Sequence, residues 1–266
     1  MVEALVVFGS KSDSSVYDFL VKELKNSGIS LELKVCSAHR APEKLEEILE
    51  STDARIIVAG AGLSAALPGV IASHSLKPVI GIPIDGNYQG LDALLSIHQM
   101  PPGIPVLGVG VNNAVQAANA VKACLRKYTE VAIVENESRE AIEKSAKAEQ
   151  LLAEFKIPCK KVPKQELNED CIAINFFNLK TEKPMSGNSL VINVPLSENN
   201  AENSIELLSK TKEGFFVGVG RAENAALFAI QVFGGMEKQL KKYRLKQKQK
   251  VLEDNESESN RIKELV

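Results

Sequence analysis

Moving a proton near neutral pH needs a group that can act as both acid and base, and the three histidines of this chain, His39, His74 and His98, all lie before residue 100. His39 stands in Ser37-Ala38-His39-Arg40, next to a guanidinium able to hold a phosphate through two parallel hydrogen bonds. Earlier, Gly9-Ser10-Lys11-Ser12-Asp13 joins an apolar run to a helical pattern. At such a junction unpaired backbone N–H groups and the positive end of a helix favour a bound anion. Ser10 and Ser12 add hydroxyls, and Asp13 can accept from a sugar hydroxyl. Each feature also has a plainer reading. Ser and Asp cap helices everywhere, and His39 and Arg40 by themselves fit a packed histidine and a surface ion pair equally well.

Small residues cluster in Ala59-Gly60-Ala61-Gly62 and near Leu67-Pro68-Gly69, where a flat ring or a small gas molecule could lie against the backbone. The same composition also makes tight turns. Gln99-Met-Pro-Pro-Gly103 reads as a rigid turn. His74 and His98 have no charged companion in sequence and are expected to be structural or on the surface. Cys36, Cys124, Cys159 and Cys171 are scattered among apolar neighbours, without the spacing of a metal site or a disulfide framework, and read as buried thiols.

These candidates need a scaffold that brings separate loops together. Short apolar runs at 5–8, 31–35, 55–59, 79–83 and 106–110 alternate with helical patterns, for example Val16, Phe19, Leu20 and Leu24 before Gly28. Such alternation predicts an α/β fold: a doubly wound parallel sheet, a flavodoxin- or Rossmann-like three-layer sandwich that gathers ligands at the carboxyl ends of its strands. Ser10, Ser12, Asp13, Ser37, His39 and Arg40 then face one another across one edge.

The chain after Tyr128 repeats this pattern in worn form. Gly108-Val-Gly110 matches Gly218-Val-Gly220, and Val79-Ile-Gly-Ile-Pro83 matches Val191-Ile-Asn-Val-Pro195. The second copy has no Ser-Ala-His-Arg segment, and Ile172-Ala-Ile-Asn175 runs into Phe176-Phe177 where the first has a glycine turn. The expected organisation is a catalytic domain over 1–128, a degenerate repeat over 129–235, and a basic helix and tail over 236–266. That helix is expected to end near 252, with the acidic stretch 253–260 fraying in solvent or packing on a neighbouring subunit; the alternative, a nucleic-acid arm, lacks interleaved aromatics.

A net charge of −2 gives no overall field that would draw nucleic acid or an anionic membrane. The apolar runs are too short to span a bilayer and the start has no signal-peptide pattern, so a cytoplasmic protein is expected.

In this order, Gly9-Ser-Lys-Ser-Asp13, Ser37-Ala-His-Arg-Ala-Pro42, Ala59-Gly-Ala-Gly62, Leu67-Pro-Gly69, Gly90-Leu-Asp-Ala-Leu-Leu-Ser96 and Gln99-Met-Pro-Pro-Gly103 resemble the class I 5-(carboxyamino)imidazole ribonucleotide mutase family of de novo purine synthesis. The likeness runs nearly continuously over residues 4 to 125. It implies that Ser10, Ser12 and Asp13 form the substrate loop, that Ser37 and Arg40 hold phosphate, that Ala59, Gly60 and Leu67 contact substrate, and that His39 shuttles the proton. It implies no metal and no cofactor. Its homo-oligomeric habit suggests four two-repeat chains standing in for an octamer of single domains.

One departure stands out: Ala66 occupies the place before Leu-Pro-Gly where the family usually has a second histidine, and His74 is one candidate replacement. The change leaves open a direct CO2-dependent aminoimidazole ribonucleotide carboxylase, although Arg40 favours the mutase. A carboxylase acting on another heteroaromatic nucleotide and a non-catalytic nucleotide-binding scaffold are the remaining alternatives.

Overall fold

The structure, a computed structural model, describes residues 2–197 and 202–263. Its first half runs β1 (Ala4–Phe8), α1 (Ser14–Asn26), β2 (Leu31–Val35), α2 (Pro42–Ser51), β3 (Ile56–Ala61), α3 (Leu67–His74), β4 (Val79–Pro83), α4 (Leu91–His98), β5 (Leu107–Gly108) and α5 (Ala114–Leu125). The second half runs β6 (Glu130–Val134), α6 (Arg139–Glu154), β7 (Cys159–Val162), β8 (Cys171–Asn178), β9 (Val191–Leu196), α7 (Ser204–Lys210), β10 (Phe215–Phe216) and α8 (Ala222–Phe233), before the long α9 (Glu237–Lys263).

The ten strands among the described residues form one sheet, in the order β2-β1-β3-β4-β5-β10-β9-β8-β6-β7. Read inward from either edge, each half has the same order, its second strand outermost and its fifth at the centre. Neighbours within each half are parallel, and the halves meet through one antiparallel pair, Gly108 with Phe216. The parallel α/β architecture expected from the alternating pattern is present. How the halves join carries no periodic signal, because β5 and β10 are only two residues long.

Strand position follows composition. β1, ALVVF, is covered on both faces and fully buried, whereas β2, LELKV, lies at the sheet edge and is partly exposed. α1 buries Val16, Tyr17, Leu20 and Leu24 on one face, and Gly28 in the left-handed region (φ 72°) turns the chain into β2.

The halves share a core. One apolar cluster runs from Phe8 and Leu107 through Ile133 to Ile192, and a second, made of Leu94, Phe177, Leu179, Leu207 and Phe216, lies at the seam. Burying a side chain of this size contributes about 1.5–3 kcal/mol, so the seam is a folding contact. Polar hooks fix its register. The buried Asn224 accepts from Gly103 N (2.8 Å) and donates to Pro101 O (3.0 Å), and Gln116 accepts from Gly110 N (2.8 Å) while donating across the seam to Thr211 O (3.3 Å). The rigid turn 99–103 thus serves as a docking point for α8.

α9 begins on the second half, with Leu240 buried and Tyr243 edge-on to Phe155, and crosses to the first, where Arg244 donates to Ala72 O (3.1 Å). The helix does not end near 252 but continues to Lys263. The acidic stretch has no Pro or Gly to stop it, and the pairs Gln249–Glu253 (3.0 Å) and Arg261–Glu258 (2.7 Å) link successive turns. Residues 264–266 of the expected tail lie outside the described residues.

Candidate active site

Four loops meet at the carboxyl ends of β1 to β4 and enclose a cavity of about 550 Å³. The loop after β1 contributes Gly9, Ser10, Ser12 and Asp13, and the loop after β2 contributes Ser37, Ala38, His39 and Arg40. Gly62 and Ser64 enter from the β3 loop, Ala66 and Leu67 from the start of α3, and Asp85, Gly86 and Asn87 from the loop after β4.

Local hydrogen bonds organise the floor. Ser10 caps the single 3-10 turn Lys11–Asp13, its Oγ accepting from Ser12 N (3.2 Å). Ser12 Oγ lies 2.9 Å from Asp13 Oδ1 and 2.7 Å from Ser10 Oγ. An ionised carboxylate only accepts, so Ser12 donates to Asp13 and Ser10 in turn donates to Ser12. Across the cavity Arg40 Nη2 donates to Gly9 O (3.3 Å), tying the second loop to the first, and Arg40 N donates to Ser37 Oγ (3.4 Å). That bond engages only part of the guanidinium fork, and both His39 and Arg40 are exposed. A bound anion would therefore find N–H and O–H donors on two sides and an imidazole at the rim.

Seven of the nine expected site residues, Ser10, Ser12, Asp13, Ser37, His39, Arg40 and Leu67, line this one cavity. Ala59 and Gly60 do not. They are buried in β3, and a Cβ on Gly60 would run into the ring of Phe8, so this glycine makes room for an aromatic packed beneath the site. Asp85, Asn87 and Ser64 belong to no motif of the sequence, although Asp85-Gly86-Asn87, one residue past the end of the buried β4, is where the strand-end rule places ligand groups.

His74 does not reach the cavity. It sits at the far end of α3, about 10 Å along the helix from Leu67, with Nδ1 2.9 Å from Val70 O and Nε2 3.8 Å from Glu46. His98 is fully buried at the end of α4, its ring against Gly108 and 6.1 Å from that of Phe216. Burial pushes its pKa down to about 4, so it is neutral at pH 7. Cys36, Cys124 and Cys171 are buried as expected and Cys159 only partly so. Burial raises the Cys36 thiol beside the cavity, opposing the weaker pull of Lys44. Among the described residues no His, Cys, Asp and Glu side chains cluster as metal ligands do, and no helix is long and apolar enough to cross a membrane.

The matching edge of the second half keeps a smaller cavity, about 250 Å³, bordered by Val134, Asn136, Lys161 and Phe176. Where β3 ends in glycine and alanine, β8 carries Phe176 and Phe177, which are 1% and 2% exposed. After β7 the chain passes through Pro163 and the turn Lys164–Glu166, with neither histidine nor arginine before Cys171. The Glu182 carboxylate folds in and accepts from Asn136 Nδ2 (3.3 Å) and Asn178 N (2.5 Å). Beneath it Asn193 is fully buried, accepting from Asn175 Nδ2 (2.9 Å) and Met185 N (2.8 Å).

A three-layer α/β sheet with a donor-rich cavity at its strand ends defines a class of small-molecule-binding proteins. Within that class, the family model described as AIR carboxylase matches residues 3–145, more than half of the chain, and the protein belongs to that family. Among its relatives, the N5-carboxyaminoimidazole ribonucleotide mutase of Methanocaldococcus jannaschii is 50% identical over 113 residues, covering 42% of this chain and 72% of the relative. The protein of that name from Pyrococcus abyssi is 46% identical over 131 residues, covering 47% and 75%. The one from Thermotoga maritima is 39% identical over 156 residues, covering 55% and 91%.

Proposed function

We propose that the chain is an N5-carboxyaminoimidazole ribonucleotide mutase acting in the cytoplasm in purine biosynthesis, with its active site at the strand ends of the first half. The observation that carries this reading is that an imidazole, a guanidinium and a capped serine loop share one cavity in a chain whose relatives bear that name. Arg40 and Ser37 hold the ribose phosphate, and the Ser10 and Ser12 hydroxyls rotate toward it from the hydrogen-bonded chain they form with Asp13. Asp13 accepts from the ribose. Leu67 and the backbone at Ala61 and Gly62 form a flat wall for the imidazole ring.

His39 carries the chemistry. As an imidazolium it protonates the exocyclic nitrogen, the N–CO2 bond breaks, and CO2 is released beside the ring. Carbon 4 then forms a C–C bond to that CO2, and the now neutral His39 removes the proton from carbon 4, which restores the ring's aromaticity and the imidazolium. Proton and carboxyl group are both conserved, so the step needs no co-reactant. Imidazole is the side chain best suited to act as acid and then as base near neutral pH.

Residues 129–235 are a degenerate copy of 1–128 that serves as scaffold, and 236–266 an extension that is helical over Glu237–Lys263. The repeated strand order supports a tandem duplication. Four two-copy chains then assemble where single-domain relatives would need eight.

The test is the carboxyl source. The mutase converts N5-carboxyaminoimidazole ribonucleotide at a rate independent of added bicarbonate. Turnover of aminoimidazole ribonucleotide only, and only with CO2, would identify a direct carboxylase instead, the alternative that Ala66 in the cavity wall raises.

A further inference from the structure

The end of α9 projects from the molecule. Residues 252–263 are exposed on every face, and their side-chain contacts, Gln249–Glu253 and Arg261–Glu258, stay within the helix. An isolated helix of this length is marginal in water, and this one also exposes Val251, Leu252 and Ile262.

Beside the preceding turns of α9 lies an apolar groove of about 800 Å³, walled by Leu76, Pro101 and Ile104 from the first half and by Leu245 and Val251 from the helix. Lys241, Lys248 and Lys250 stand along it. The charge of α9 is divided accordingly. From 238 to 250 every ionisable group is a cation (Lys238, Lys241, Lys242, Tyr243 aside, Arg244, Lys246, Lys248, Lys250), and from 253 to 258 every one is an anion (Glu253, Asp254, Glu256, Glu258).

We propose that α9 pairs antiparallel with α9 of a second copy of this chain, the acidic stretch of each copy entering the basic groove of the other. The arrangement is two-fold and self-complementary. Centred on Leu252, it sets Lys248 beside Glu256 of the second copy, a pair that occurs twice, and lays the remaining lysines of each basic stretch level with the carboxylates of the other, where they attract over a longer range. Leu245, Leu252 and Ser259 recur at seven-residue spacing and face the partner helix, with Lys248 and Glu256 flanking them. The same register lays residues 253–263 of one copy along residues 241–251 of the other, the stretch that borders the groove. This contact involves no group of the catalytic cavity and stands apart from the proposed reaction.

Sedimentation of the full-length chain tests the pairing. The triple variants Glu253→Lys/Glu256→Lys/Glu258→Lys and Lys241→Glu/Lys248→Glu/Lys250→Glu should each sediment at half the parent mass, and a one-to-one mixture should recover it. All six positions are exposed, so folding is spared. Leu252→Cys should give a disulfide-linked dimer under mild oxidation, whereas Ser257→Cys, on the opposite face, should not. Variants that keep the parent mass, a mixture that fails to recover it, a monomeric parent, or equal cross-linking at both cysteines would each overturn the pairing.

Discussion

The two halves share one strand order but end their strands differently. The first ends β3 in Gly60 and Ala61 and leaves a cavity of about 550 Å³; the second carries Phe176 and Phe177 near the end of β8 and keeps only about 250 Å³, with neither histidine nor arginine in its wall. The first presents uncommitted donors on Ser37 and Arg40, whereas donors at the second already meet the Glu182 carboxylate. A sheet edge of this kind becomes a site only if the loops leave both room and unpaired polar groups, and a few side chains decide each.

The largest contrast should come from His39→Asn. It should lower kcat by about 10³-fold, within the usual range for losing a general acid–base group, while titration calorimetry finds ribonucleotide affinity nearly unchanged. A wild-type rate would remove the proton-transfer role. Arg40→Ala should raise the ligand Kd by roughly 10- to 100-fold, the cost of about 1.5–3 kcal/mol for a hydrogen bond to a charged partner. An equal loss for a ligand without its phosphate would argue against phosphate contact.

At the seam, His98 links stability to pH. Its folded pKa of about 4 lies below the unfolded value of 6.5, so between these values the unfolded chain binds a proton that the folded chain does not. Stability should therefore fall as pH drops from about 6.5 to about 4, by up to about 3 kcal/mol. Denaturant titrations should show that dependence reduced in His98→Gln.

Gly60→Ala should destabilise the first half by about 1–3 kcal/mol through overpacking against Phe8. Gly62→Ala, whose Cβ would meet Ile84 at an ordinary 3.6 Å, should leave the thermal midpoint alone and act on substrate binding. The smallest catalytic effect belongs to the narrower edge, where Glu182→Gln should keep kcat/KM within about twofold and only loosen local packing. A large kinetic loss there would mean that the second half takes part in the reaction.

Much of this was legible in the sequence, because parallel strands buried on both faces and amphipathic helices leave strong periodic patterns, and because Ser10, His39 and Arg40 sit directly after predicted strands. Other features leave little local trace. Gly60 reads as a pocket glycine until the ring of Phe8 is seen beneath it. The antiparallel seam is made by strands too short to register, and the cavity groups Asp85 and Asn87 gain meaning only when β4 is placed beside β3. The length of α9 depends on contacts between successive turns in a segment whose polarity suggests fraying.

The contrast between the edges is tested most directly by counting ligands. Calorimetric titration of the full chain with 4-carboxy-5-aminoimidazole ribonucleotide should give one site per 266-residue chain, and that site should weaken in Arg40→Ala. A stoichiometry of two per chain, or one site indifferent to Arg40, would contradict the account.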